Sequence, residues 1–426
     1  MIAPPSVDTG VLRLRRLDLS SQRPADVAER QALCRRGAVP DEKIRTGART
    51  ILADVRSRGA AAVADAGSRH GGGLADGRLV IEPAELQAAR DRLSADDRRA
   101  LDQAIDHVAR FATSQRPVTT TTGIVPGIEI QRRWLPLDRV GCYVPGGSAP
   151  YPSSLIMTVV PARVAGGAQA IGALAFGLPD SMPALAPVDR IVGPGNAWVT
   201  AAKLEVAGFV GIDLPAGPSE GMVLADDAAD PVLVAADLVT QAEHGPDSPA
   251  ILVTTSVALG DAVEREIAAL LPRLQRREIL ARALASHGRI ALAPDLAGAI
   301  AFVDAYAPEH LSIDVREPDA AAARIRHAGS IFVGPWAPES AGDYATGANH
   351  VLPTGGLARS ADALAVEAFG RYTQIQRVTE EGLATIRATV GRLATSEGLT
   401  AHRNAVEARF RDRPGGPDDA RTGGPE

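Results

Sequence analysis

Helical periodicity opens the chain. From Asp41 to Arg69 apolar and polar residues alternate with few breaks, and Ser94 ahead of Ala95-Asp96-Asp97 is an N-cap for a periodic stretch running to Gln115. Residues 1–132 therefore read as a mainly helical N-terminal region that contributes to a first α/β domain. From Arg133 the texture changes to short β-like runs closed by Gly/Pro clusters: "DRVGCYVPGG", "DRIVGPGN" and "GIDLPAGPSE", each followed by helix-compatible sequence. Alternating β and α segments predict parallel sheets. A second series starts near Ile251 with "ILVTT", passes through "GRIALA" and ends at "GSIFVGP". The expected fold class is α/β, with two parallel-sheet α/β domains between helical N- and C-terminal regions. The first domain covers 133–218 and the second 219–378; a helical segment follows at 379–412, and the Pro/Gly-rich tail 413–426 is expected to be disordered.

Composition narrows the function classes. Hydrophobic residues make up 45% of the 426 and charged residues 23%, an ordinary globular balance, with aromatics sparse at 4%. Basic residues number 45 against 51 acidic ones, giving net −6, and there is no basic block with interleaved aromatics, so nucleic acid is not an expected partner. Lys43 and Lys203 are the only lysines, which leaves a Schiff-base mechanism two candidates. Cys34 and Cys142 cannot build a disulfide framework, and the N-terminus lacks the charged-then-apolar layout of a signal peptide; a reducing cytoplasm is expected. The weakly polar run from Val164 to Pro179 carries Gln169 and four glycines and falls short of the ~20 residues that span a bilayer, so no membrane segment is expected.

Several short stretches concentrate groups able to do chemistry. Asp230-Pro231 starts a helix and Gly245-Pro246 stops one, which puts Gln241 and His244 on one face at i and i+3. Such a pair can converge on one metal ion, although taken alone it is more often a capping Gln and a surface His. "YAPEHLSI" sets Glu309 beside His310, two acid/base types, after a helix-breaking Pro. "GDYATGANHVLPTGG" offers Asp343 and His350 in a Gly-rich loop of the kind that carries sites. In "EGLTAHRNAVEARF" helical spacing aligns His402 with Leu399 and Val406 and turns it inward, as a core His or as a ligand, with Glu397 just upstream. Gln241, His244, Asp343 and His402 would make a mixed N/O set that suits zinc better than magnesium. Neither G-x-G-x-x-G nor a Walker loop occurs, although "YVPGGSAPYPSS" and "VGPGNAWVTAAKLEV" are loops whose N–H groups could approach a pyrophosphate.

Taken in order, "YVPGGSAPYPSS", "GGAQAIGALAFG", "GPGNAWVTAAKLEV", "GIDLPAGPSE", "DLVTQAEHGPDS", "YAPEHLSI", "GDYATGANHVLPTGG" and "EGLTAHRNAV" resemble the histidinol dehydrogenase family, from about Glu42 to Arg409. The resemblance implies two incomplete Rossmann-like halves, the first binding NAD and the second zinc. It also implies a homodimer with exchanged C-terminal segments that oxidises L-histidinol to L-histidine with two NAD. Carried over by position, it makes Gln241, His244, Asp343 and His402 the ligands of one Zn2+ per subunit, with His402 reaching the partner's site. His310 becomes the base for the alcohol and Glu309 the base for water on the aldehyde. Ser219, His350 and Glu397 join these residues in holding substrate, and Tyr143, Gln169 and Asn196 contact NAD.

One departure bears on function. After "SSLIMTVVPARVAGG" the family carries a further strand and helix, whereas here Gly166-Gly167 runs straight into Ala168, a loss of about 30 residues. A degenerate homologue that binds zinc and histidinol without productive NAD binding is therefore an alternative reading. So are a dehydrogenase of another amino or sulfo alcohol and a zinc hydrolase using Glu309.

Overall fold

The computed structural model describes residues 13–70, 74, 76, 78, 80–145, 151–165, 176–177 and 184–411. The fold is mixed α/β with parallel sheets, as expected. It forms two compact units: residues to Arg116 together with Pro136–Phe369, and Pro117–Leu135 together with the chain from Gly370 on.

A six-stranded sheet dominates the first unit. Its order is Arg15–Asp18, Arg289–Leu292, Ala250–Thr254, Gly221–Ala225, His310–Asp314, Ser330–Val333, and every pairing is parallel. Gly221–Ala225 and Ala250–Thr254 are buried at every position, because helices cover both faces and leave no side for polar residues. Alternation along one strand divides the core. Val223 and Ala225 pack with Val234, Leu238, Val263 and Leu284 on one face, while Met222 and Leu224 pack with Ile300, Val303 and Tyr306 on the other. Each such side chain contributes about 1.5–3 kcal/mol by leaving water. The sheet's edge holds a correction to the sequence reading: Arg15–Asp18 belongs to this second α/β half and not to the first. The pairing partner lies far along the chain, so local sequence carried no sign of it.

The first α/β half is smaller. Val140–Cys142, Arg190–Val192 and Gly211–Ile212 form a parallel sheet in that order. Helix Glu42–Arg58 packs on Ala197–Val206, and helix Ala95–Ser114 on Pro152–Ala165, so the N-terminal helices do serve this half. Beneath its loops lies a buried ion pair between Lys203 and Asp213. The Lys203 ammonium also donates to the Gly193 carbonyl at 2.9 Å, and Asp213 accepts from the Gly193 amide at 2.7 Å. Gly193 has φ +121°, and a Cβ there would lie 2.1 Å from the Tyr143 carbonyl oxygen, so glycine is required where these two loops meet.

The second unit contains a three-stranded sheet, ordered Gly370–Val378, Ile128–Pro136, Thr120–Val125, with the last two strands an antiparallel hairpin. Helices Glu380–Ser396 and Thr400–Glu407 follow, the second held to the first by an ion pair between Arg387 and Glu407. The predicted helical segment at 379–412 appears here. Its sheet was not anticipated, since Thr120–Val125 is exposed throughout and offers no apolar alternation. Serial domains ending at 132 and 378 are replaced by a unit assembled from two distant stretches.

Candidate functional site

Helix Pro231–Glu243 supplies the first groups. Asp230 caps it by accepting from the Val232 amide at 2.8 Å, Pro231 occupies the first turn, and His244 closes the C-terminal end. Gln241 is buried at 1% exposure and lies over Gly221, where an added Cβ would come within 2.6 Å of the carboxamide oxygen. Only glycine on that strand leaves the carboxamide room. The Gln241 Oε1 atom is buried with no hydrogen-bond partner, while its Nε2 donates to Ser219 Oγ at 3.4 Å. An orphaned buried carbonyl oxygen costs about 1–3 kcal/mol unless a cation or donor meets it.

Short helix Glu339–Tyr344 faces this end with Glu339 and Asp343 one turn apart. Glu339 Oε1 lies 3.2 Å from His244 Nε2, and Asp343 Oδ2 3.7 Å from the same nitrogen. Ligand atoms of His244, Glu339 and Asp343 all fall within 4.8 Å of one another. Although burial opposes it, the hydrogen bond to Glu339, with the charges of Glu339, Asp343 and Glu309, pushes the His244 imidazole up to about 9. That local negative potential, together with the orphaned Gln241 oxygen, fits a divalent cation. Sequence reading missed Glu339. The i,i+4 spacing of "ESAGD" after Pro338 was the available signal.

Strand His310–Asp314 brings in the pair. Glu309 Oε2 accepts from Ser219 Oγ at 2.8 Å and from the Glu220 amide at 2.9 Å. Burial nevertheless holds this carboxyl well above the usual range, because those two hydrogen bonds offset only part of the desolvation. Burial also pushes Glu339 up to about 7, against the pull of His244. His310 lies within 4.0 Å of Glu309, Glu339 and Asp343 oxygens, yet neither ring nitrogen has a hydrogen-bond partner. Burial, then the nearby His244 and His350 charges, push it down to about 3, so it stays neutral. Its ring stacks on His244 at 6.2 Å, with 15° between planes. His350, on the loop after helix Glu339–Tyr344, closes the site toward the first α/β half: its Nδ1 lies 3.1 Å from the Asp343 carbonyl oxygen and its Nε2 3.4 Å from Ser154 Oγ.

Ser219, Gln241, His244, Glu309, His310, Asp343 and His350 thus come together in the first unit. Tyr143 and Asn196 sit just beyond the C-terminal ends of Val140–Cys142 and Arg190–Val192, where parallel α/β sheets bind ligands. The Asn196 side chain is already used as a helix cap, accepting from the Trp198 and Val199 amides. Gln169 and the Gly166-Gly167 junction lie outside the described residues. Glu397 and His402 belong to the second unit. Within this chain Leu399 and His402 are exposed and Val406 is half-buried, so the described residues of the chain itself do not cover the apolar face that carries His402.

The histidinol dehydrogenase family model matches residues 34–166 and 165–410. This chain belongs to the histidinol dehydrogenase family. A relative named histidinol dehydrogenase from Nocardia farcinica is 41% identical over 94% of this chain and 99% of its own length. One from Mycobacterium bovis is 40% identical over 96% and 100%. The crystal structure of histidinol dehydrogenase from Elizabethkingia anophelis superposes with TM-score 0.85 at 31% identity, covering 93% of this chain and 98% of that one. Family membership makes the protein an NAD-dependent oxidoreductase and sets the hydrolase reading aside. The match divides at residues 165–166, beside the Gly166-Gly167 junction.

Proposed function

We propose that this histidinol dehydrogenase family member oxidises L-histidinol through L-histidinal to L-histidine, using one zinc ion per subunit and two NAD. The observation that carries the reading is the meeting of the His244, Glu339, Asp343 cluster with the Glu309–His310 pair, to which buried Gln241 is joined through Ser219. Gln241, His244 and Asp343 hold the metal, and His402 of the partner subunit completes the set in a homodimer with exchanged C-terminal segments. The exposure of His402, Glu397, Leu393 and Leu399 supports this, because a partner would cover them. Zinc held there would supply a Lewis-acidic fixed point that orients the substrate, and bound NAD would supply the hydride acceptor.

The protein's own residues handle protons. Neutral His310, with both nitrogens free of hydrogen bonds, takes the hydroxyl proton as hydride leaves the carbinol carbon. Glu309 draws a proton from water adding to the aldehyde, and the hydrate then loses the second hydride. The hydrogen bonds from the Glu220 amide and the Ser219 hydroxyl favour the ionised form that this requires. Ser219 and Glu220 keep the carboxylate aimed, while His350 and Glu397 of the partner bind substrate and Tyr143, Gln169 and Asn196 meet NAD. Purified, zinc-loaded protein given histidinol and NAD should form NADH and histidine in a 2:1 ratio. A folded, metal-loaded protein that makes neither product refutes the reading.

A second reading has its own support, the break in the family match at residue 166 within the NAD half. On that reading the chain binds zinc and histidinol but does not hold NAD productively. Calorimetry separates the two: histidinol binding without NAD binding favours the second, and binding of both rejects it.

A further inference from the structure

Arg36 lies outside every motif discussed so far, on the loop after helix Pro24–Cys34, yet its guanidinium reaches the back of the catalytic pair. Its Nε and Nη2 donate to the two Glu220 carboxylate oxygens at 2.8 and 2.5 Å, a bidentate fork. Nη1 donates to the Tyr306 carbonyl at 2.6 Å and to the Leu33 carbonyl at 3.0 Å, and Nη2 to the Ala307 carbonyl at 3.3 Å. The same guanidinium lies 3.2 Å from the centre of the Tyr306 ring.

Both ends of this fork lead to Glu309 and His310. Glu220 gives its amide to Glu309 Oε2 at 2.9 Å and accepts the His310 amide on its carbonyl at 3.2 Å. Ala307, two residues before Glu309, is left-handed at φ +53°, the only non-glycine with positive φ among the described residues. A left-handed alanine is strained and persists only where its surroundings hold it. Arg36 grips the carbonyls on both sides of the Ala307 Cα. Gly355 closes the ring by donating to Glu220 Oε1 at 3.1 Å.

We propose that Arg36 is a positioning residue for the Glu309–His310 pair. Through Glu220 and the Tyr306-Ala307 carbonyls it fixes the direction of the Glu309 carboxylate, without touching substrate or metal. The inference rests on the histidinol-oxidising reading. Lysine at this position keeps the charge but cannot span two carboxylate oxygens and two carbonyls together.

The test compares wild type, Arg36→Lys and the double variant Arg36→Met/Glu220→Met, each as zinc-loaded full chain. For Arg36→Lys, kcat should fall about tenfold or more, as expected for a slight misplacement of a catalytic group, with the histidinol KM within about twofold and zinc content unchanged. The double variant removes both buried charges and so should melt close to wild type, yet its kcat should stay low. Wild-type kcat in a folded Arg36→Lys, or kcat recovering with melting temperature in the double variant, overturns the positioning role. If Arg36→Lys does not fold, the double variant decides alone. An inactive wild type would instead overturn the histidinol reading, so the two failures are distinguishable.

Discussion

The two α/β halves differ in what they keep. The second has six parallel strands, helices on both faces and a site whose donors, acids and bases all lie within a few ångströms of one another. Among the described residues the first has three strands and a loop junction held by Lys203, Asp213 and Gly193, and it contains the point where the family match divides. A metal site depends on a few side chains from rigid strand and helix ends, so it survives the shortening of a neighbouring sheet. Dinucleotide binding depends on the loops at the carboxyl ends of a parallel sheet's strands, and the family match divides within that half.

The sharpest break in the comparison comes from the acid/base pair. Glu309→Gln should lower the rate of the aldehyde-to-acid step by about 10²- to 10⁴-fold. Stopped-flow with histidinal in place of histidinol would register this; a rate near wild type would remove Glu309 from the chemistry. Glu339→Gln comes next, with zinc affinity expected to fall about 10- to 100-fold, the usual cost of losing a carboxylate partner of a ligating His. Competition against a chromogenic chelator measures it, and unchanged affinity would make Glu339 a bystander.

Zinc affinity should also follow pH in a stated direction. The His244 imidazole, raised to about 9, carries a proton that the metal must displace at any lower pH. Affinity therefore rises with pH, by up to about tenfold per unit between neutrality and pH 9, and levels off above it. A flat titration across that window would contradict the acidic surroundings inferred for His244.

In the other half, Lys203→Met strands Asp213 in the interior and should cost about 3–5 kcal/mol. Chemical denaturation would show whether zinc binding survives this change, as it should if the two halves depend on different contacts. The smallest effect belongs to Cys142, which burial pushes up to about 11 despite its hydrogen bond with Thr158. Alkylation at pH 8 should be slow and Cys142→Ala should leave kcat within about twofold, since so few thiolates form. Rapid inactivation by a thiol reagent would contradict that assignment.

Legibility divided along similar lines. Helix Pro231–Glu243 could be read because Asp230-Pro231 and Gly245-Pro246 state its ends locally, and the Gln241–His244 spacing followed. Glu309 and His310 were visible as neighbours in sequence. Arg36 and Glu339 were not, because their roles depend on partners brought from other elements. His402 shows a different limit: its helical face was read correctly as apolar, but what covers that face was not written in the periodicity.

By itself the sequence determined the helices with clear caps, the main series of parallel strands, most residue types at the site and, through its ordered motifs, the family. Caps, breakers and periodicity act over a few residues and are therefore readable locally. Tertiary structure decided the rest: that Arg15–Asp18 joins the second sheet, that His310 is neutral, and that Arg36 braces Glu309 through Glu220. Those outcomes depend on burial and on hydrogen bonds closed across long stretches of chain, and both exist only once the sheet has formed.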